Sequence, residues 1–191
     1  MARVRSAVAL ILILVPAIAW SAPPAAPIFP DLRFNAVPPE RLALGRIEIV
    51  DGDPTPYAPP RVEQEFPIPP AHAIENWVRD RLAAAGGSDR LRVTIERGRV
   101  NEIQLPPTPG YSDPQSQRYD ADVRIRLDIL DDRGVALATV SVNATRSQGV
   151  LQSTSVDERA LIWYDMTREL MAAIDGQLDR EIRAHFAAYL R

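Results

Sequence analysis

The last fifth of the chain carries the pattern that most constrains the fold. Apolar side chains recur every three or four residues between Ala160 and Tyr189, and charged side chains fill most positions between them. This is the spacing of one face of an α-helix, whereas a half-buried strand would alternate strictly. We therefore predict one long amphipathic helix over about 154–190 that covers the rest of the domain. Its apolar positions are Ala160, Trp163, Leu170, Ile174, Leu178, Ile182, Phe186 and Tyr189.

The sequence predicts where this helix starts and that it is longer than the sheet it covers. Ser155 and Glu158 have the spacing of a capping box, in which each side chain satisfies the other residue's free backbone N–H. Roughly 35 helical residues would extend about 50 Å, more than twice the ~20 Å of a six-residue strand. The surplus either folds over the domain edge or presents an apolar surface to a partner. For the second case, the predicted partner-binding residues are Ile182, Phe186 and Tyr189.

Four stretches before this helix read as strands, and one reads as a shorter helix over 71–85. The predicted strands span 42–50, 91–105, 119–130 and 135–146, with a hairpin turn at Asp131–Gly134 before the last. Their apolar and polar residues alternate, which is typical of a sheet with one solvated face, so both helices should lie on the other. The predicted class is α+β: a two-layer sandwich with a four-stranded, mainly antiparallel sheet, two helices on one face, and the order β-α-β-β-β-α. The helical crossover favours a parallel first strand.

Residues 1–21 have the form of a secretory signal peptide. Two arginines precede the apolar run Ala7–Ala19, which is too short to span a membrane. Small residues then predict cleavage after Ala19 or after Ser21. We expect a periplasmic or secreted protein with no transmembrane span after cleavage.

The chain contains no cysteine, so the lipobox of a lipid anchor is absent and disulfides cannot form. Six prolines within 22–41 predict an extended, mobile, proline-rich lead. The remainder, 42–191, is predicted to be a single α+β domain, and 106–118 is a polar loop within it.

No recognisable catalytic, cofactor or metal motif emerges from the sequence. His72 and His185 stand alone, without further ligands at metal spacing, and nucleophile elbows and glycine-rich phosphate loops are absent. Carboxylates such as Asp120 and Asp122 fall on predicted solvent faces, where general acid chemistry is poor. The net charge of −3 is spread along the chain without a basic stripe, which argues against nucleic-acid binding. We expect neither a cofactor nor an enzyme.

The order of elements resembles two families of secreted proteins. The stretches that carry the resemblance are Leu44–Val50, the Trp77 helix, Tyr119–Leu130 and Trp163–Leu190. In order and arrangement they are similar to the periplasmic auxiliary lipoproteins of bacterial ABC-type lipid transporters, and to the lipopolysaccharide-assembly lipoprotein. The chain departs from both in lacking the lipid-bearing cysteine. A relative of this kind would be soluble or held by a partner.

Three functional hypotheses follow. The first is a non-catalytic exported accessory domain that binds an envelope protein or a lipid-like ligand, in envelope assembly or lipid transport. The second is a structural homo-oligomer joined through the end of the long helix. The third is a periplasmic hydrolase that uses Asp and Arg residues around the 106–118 loop, which would require a concave pocket with a perturbed carboxylate.

Overall fold

The strands and helices form two layers, with both helices on one face of the main sheet. The computed structural model describes residues 27–107, 109–110 and 112–191. The predicted signal peptide, including its cleavage point, lies outside these described residues. In chain order the elements are β1 (Glu40–Leu42), β2 (Arg46–Asp51), α1 (Pro70–Arg81), β3 (Leu82–Ala84), β4 (Arg90–Gln104), β5 (Gln115–Leu130), β6 (Ala136–Leu151) and α2 (Val156–His185).

The main sheet has the strand order β2-β4-β5-β6. β2 pairs with β4 in parallel, because the chain crosses over through α1 between them. The β4–β5 and β5–β6 pairs are antiparallel. The sheet is therefore mixed, and the predicted α+β class with its parallel first strand is confirmed.

Alternation along the strands separates the core from solvent. In β5, the residues from Tyr119 to Ile129 are buried at every second position. These side chains share one hydrophobic core with Trp77 of α1 and Leu170 of α2, so both helices cover the same face. The opposite face carries the polar residues of the same strands, as the alternation predicts.

The start of α2 is a capping box, as predicted. The backbone N–H of Glu158 donates to Oγ of Ser155 at 3.3 Å, and the backbone N–H of Ser155 donates to the Glu158 carboxylate at 2.8 Å. The two contacts satisfy backbone donors that the first turn of a helix leaves free.

The end of α2 folds over the edge of the domain, which is the first of the two predicted alternatives for its surplus length. The helix ends at His185, and a single 3₁₀ turn spans Ala187–Tyr189. The last residues then run beside β1: Arg191 donates its backbone N–H to the carbonyl of Arg41 at 2.9 Å, and Leu42 forms an antiparallel bridge with Leu190.

The first helix is shorter than predicted. We expected it to continue to residue 85, but α1 ends at Arg81, because Leu82–Ala84 extends into β3 and pairs in parallel with β1. The following turn needs glycine at position 87, where φ is +148° and an added Cβ would lie 2.6 Å from the carbonyl oxygen of Ala43.

The three long strands also differ from their predicted bounds. β5 begins four residues earlier than predicted, and β6 extends five residues further, to Leu151. The pairing of β4 with β5 contains a β-bulge between Ile95 and Arg97. Gly98 faces the start of α1, where a Cβ would lie 3.4 Å from the Cβ of Ala71.

Candidate functional site

The proline-rich lead is attached to α1. Asp80 of α1 accepts hydrogen bonds from Nε of Arg33 and from the backbone N–H of Phe34, both at 2.8 Å. Asn76 donates to the carboxylate of Asp31 at 2.9 Å and to the carbonyl of Leu32 at 3.3 Å. The Arg33 hydrogen bond lowers the pKa of Asp80 despite its burial. The prediction of a mobile lead is therefore wrong over 31–34.

A groove with a volume of about 340 Å³ opens between this lead and α2. Its apolar walls come from Leu32 and Phe34 on one side and from Met171 and Ala172 on the other. Arg33, Arg168 and Asp175 add charged groups to the lining. The lining residues are Leu32, Arg33, Phe34, Arg168, Met171, Ala172 and Asp175. We call this the lead–helix groove.

The charges at the groove differ in how firmly they are held. Asp175 accepts a hydrogen bond from Nε1 of Trp77 at 2.7 Å and lies 3.2 Å from Nε of Arg81, so its carboxylate is already engaged. Arg168 contacts Asp165 at 2.9 Å, but both side chains are largely exposed. Such surface pairs contribute ~0–1 kcal/mol, so Arg168 can turn to a ligand at little cost.

A second cavity, of about 400 Å³, lies between the crossover before α1 and the end of β4. The crossover is held there by an ion cluster. Arg99 of β4 donates from Nε to Asp53 at 2.6 Å, and Arg61 donates from Nε to Glu63 at 2.7 Å. The cavity is lined by Tyr57, Pro59, Pro60, Arg61, Val62, Glu65, Glu102 and Gln104.

The carboxylates of this cluster are suited to holding the chain in place. The hydrogen bond from Arg99 is the main cause that lowers the pKa of Asp53 to about 2, against the opposing effect of burial. Glu63 is buried and accepts the backbone N–H of Val100 at 3.2 Å. A carboxylate with so low a pKa stays ionised and is a poor proton donor near neutral pH. We interpret the cluster as a clamp between crossover and sheet.

An aromatic cluster lies between the crossover and α2. Phe66 stacks on Trp163 with ring centroids 4.9 Å apart, and Tyr119 packs edge-on against Trp163 at 5.4 Å. Burial raises the pKa of Tyr119 to about 12, and the nearby charge of Glu102 adds to this effect. The phenol stays protonated and can donate to Glu102 at 3.3 Å.

The predicted partner-binding residues pack within the domain itself. Ile182 and Phe186 are buried, and Tyr189 is partly buried against the same core. Their apolar groups thus have intramolecular partners in this conformation. Their role at an interface, and with it the oligomer through the helix end, stays a prediction.

The remaining catalytic candidates are not brought together. Asp120 accepts from Oγ of Ser147 at 2.6 Å, which is the main cause of its lowered pKa, while Asp122 pairs with Arg97. His72 lies 3.3 Å from Asp31, and His185 lies 3.2 Å from Glu181. Across the described part of the chain, no three His, Asp or Glu side chains are grouped so that they could hold a metal ion.

The loop over 106–118 is tied to the segment before α2. Asp113 accepts the backbone N–H of Ser153 at 3.0 Å and also its hydroxyl. Asp113 lines neither the lead–helix groove nor the cavity beside the end of β4. The predicted hydrolase site at this loop stays a prediction.

These features define a two-layer α+β domain, and comparison with solved structures finds weak similarity to other chains. One is described as a homolog of the neuraminyllactose-binding hemagglutinin, from Helicobacter pylori. It has 6% sequence identity and a TM-score of 0.44, with 78% of this chain and 94% of that chain covered.

A second similar structure is a Xanthomonas campestris protein of the DUF330 family. It has 12% identity and a TM-score of 0.37, with 81% of this chain and 93% of that chain covered. No protein-family model and no curated protein matches the sequence. Neither structure is described as a lipopolysaccharide-assembly lipoprotein, and the resemblance to the two lipoprotein families stays a prediction.

No helix among residues 27–107, 109–110 and 112–191 is both long and apolar enough to cross a bilayer.

Proposed function

We propose that the chain is an exported, non-catalytic accessory domain that binds an anionic, lipid-like ligand in the lead–helix groove. The observation that carries this proposal is the chemistry of that groove: apolar walls from the lead and α2, with the exposed Arg168 among the lining residues. Apolar walls with a few placed polar groups are typical of small-molecule sites, and a volume of about 340 Å³ lies within their range.

Each part of the groove has a separate task in this proposal. Leu32, Phe34 and Ala172 contact the hydrocarbon chain, whose transfer from water supplies most of the affinity. Arg168 contacts the head group, because its guanidinium can bind a carboxylate or phosphate with two parallel hydrogen bonds. The lead is held on α1 by Asp80, so the groove exists before the ligand arrives.

The location is part of the same proposal. The predicted signal peptide would deliver the domain to the periplasm or the outside of the cell, where lipid-like molecules are handled during envelope assembly. The resemblance to auxiliary lipoproteins of lipid transporters supports this class of ligand. Because the sequence has no lipid-bearing cysteine, the domain would be soluble or held by an envelope protein.

Titration calorimetry with dodecanoate tests the proposal, and the cation dodecyltrimethylammonium serves as the charge-reversed probe. We expect dodecanoate to bind more tightly, and Ala172→Trp, which fills the groove, to weaken it at least about tenfold. Ala173→Trp is the matched control, because Ala173 is exposed on the same helix but does not line the groove. Equal affinities for the two probes, or equal effects of the two tryptophans, would contradict the proposal.

A further inference from the structure

The edge of the main sheet formed by β6 is long and has no partner strand within the described part of the chain. β6 spans Ala136–Leu151, and among the described strands it neighbours β5 alone. Among the described residues, no backbone hydrogen bond reaches positions 136–150 from any element other than β5. In an antiparallel ladder, every second residue turns its N–H and C=O toward the free side. A row of unpaired backbone groups therefore lines this edge.

The opposite edge of the sheet is protected in ways that β6 is not. β2 has only six residues, three of which are charged, namely Arg46, Glu48 and Asp51. Short length and charge are common means by which proteins prevent unwanted pairing at sheet edges. β6 has 16 residues, contains no proline, and has a single charged residue, Arg146.

That one charge does not face the solvated side of the strand. Arg146 belongs to the residues that alternate inward, and it forms an ion pair with Glu169 of α2. The outward-facing residues are all uncharged, in contrast to β5, whose solvated face carries five charges from Asp120 to Asp128. On β6 these outward residues are Leu137, Thr139, Ser141, Asn143, Thr145, Ser147, Gly149 and Leu151.

We propose that β6 pairs antiparallel with β6 of a second copy of this chain, which joins the two four-stranded sheets into one of eight strands. Pairing with itself is favoured because no charged side chain of either strand meets a like charge on the solvated face. Burying the edge also satisfies the row of free backbone groups on both copies at once. The assembly is closed and two-fold symmetric, so no further copy can add at this edge.

The exposed leucines set the register. Leu137 and Leu151 are 50% and 45% exposed; Leu137 is the unpaired residue of a β-bulge between Ala136 and Ala138, and Leu151 is the last residue of β6. With Ala144 on the two-fold axis, Leu137 of each copy lies opposite Leu151 of the other, and Ser141 lies opposite Ser147. Opposed apolar residues stabilise a strand pair, so this register gains two leucine pairs. The side chain of Gln148 must move when the dimer forms, because its Nε2 donates to the carbonyl of Gly149 at 3.1 Å and so occupies an acceptor on this strand.

Sedimentation velocity over about 1–500 µM protein tests the dimer. We expect a concentration-dependent species of twice the chain mass. Leu137→Lys should weaken this dimer at least about tenfold, because it places a charge opposite Leu151 of the second copy. Leu161→Lys is the matched control: Leu161 is 49% exposed, but it lies on α2 and not on β6. Circular dichroism of each variant confirms that the fold is retained.

A charge-swap variant tests the register. Leu151→Glu alone should also weaken the dimer, whereas the double variant L137K/L151E should restore it, because each introduced lysine then faces an introduced glutamate. A protein that stays monomeric throughout the concentration range, or an equal effect of L137K and L161K, would overturn the proposal. A dimer that the double variant does not restore would overturn this register. A protein that stays monomeric by itself and pairs through β6 only with a different protein would overturn the proposed homodimer.

Discussion

Nε1 of Trp77 donates a hydrogen bond of 2.7 Å to Oδ1 of Asp175, linking the two helices across 98 positions of the chain. Trp77 is 1% exposed, so its indole N–H has little access to water. A buried donor that loses its acceptor costs about 1–3 kcal/mol. The bond links α1 to α2, together with the contact between Arg81 and the same carboxylate.

Removing the acceptor should therefore destabilise the protein. We expect Asp175→Ala to lower the free energy of unfolding by about 1–3 kcal/mol. Asp165→Ala, ten positions earlier on the same helix, removes only a surface pair with Arg168 and should cost less than about 0.5 kcal/mol. Urea denaturation measures both. Equal effects of the two substitutions would show that the contacts of Asp175 with Trp77 and Arg81 add nothing beyond an exposed surface pair.

The capping box at the start of α2 gives a second prediction. Ser155→Ala removes the side-chain oxygen that accepts the backbone N–H of Glu158, and it should cost about 0.5–2 kcal/mol. Gln152→Ala serves as the control, since it changes an exposed residue just before the helix. Thermal unfolding provides the measurement, with a clearly lower midpoint expected for S155A alone.

The clamp between Asp53 and Arg99 should make stability depend on acid pH. The pKa of Asp53 in the folded chain is about 2, below its value of about 4 when unfolded, so its stabilising contribution is present above pH ~4. This contribution disappears as the pH falls from about 4 to about 2. Its size is on the order of 1–2 kcal/mol, because the Asp53 side chain is 8% exposed.

Asp53→Asn tests the clamp by removing the titrating group. The variant should be less stable than the unmodified protein at pH 7 and should lose less stability between pH 4 and pH 2. Asp132→Asn, in an exposed turn, should leave the acid dependence unchanged. Parallel acid curves for D53N and the unmodified protein would contradict the assignment.

Tyr119 should make stability fall at alkaline pH, whereas the contribution of Asp53 is lost at acid pH. Burial raises its pKa to about 12 in the folded chain, above the usual value of about 10, so the folded state holds the phenolic proton more tightly. This stabilisation is complete below pH ~10 and is lost as the pH rises toward 12. Tyr119→Phe should therefore flatten the loss of stability over pH 10–12, measured by urea denaturation. An unchanged slope would exclude the shift.

Local pattern was sufficient to predict the layers. The alternation from Ala121 to Ile129 and the three- and four-residue spacing along α2 each place apolar groups on one face, and burial of those faces decides the architecture. The turn before β6 was also predicted correctly from its glycine. Gly134 adopts φ +86°, a conformation that glycine adopts readily and other residues rarely do.

The missed features depend on contacts between distant residues. β3 forms because Leu82–Ala84 pairs with Glu40–Leu42. The sequence of neither segment indicates that it pairs with the other. The lead–helix groove depends on Arg33 reaching Asp80, 47 positions away. The apolar Leu32 and Phe34 within a proline-rich segment were the only local sign that the lead packs on the domain.

The contact between Arg41 and Arg191 brings the last residue of the chain beside the first strand. A short linker could join these two points without crossing the core, since both lie at the same edge of the domain. New ends could then be opened at the Asp131–Gly134 turn, where no core residue would be disturbed. A circular permutant built in this way would keep every strand pair of the main sheet and the contact between the two helices, but it would lose the pairing of Glu40 with Leu82 and the lead before it.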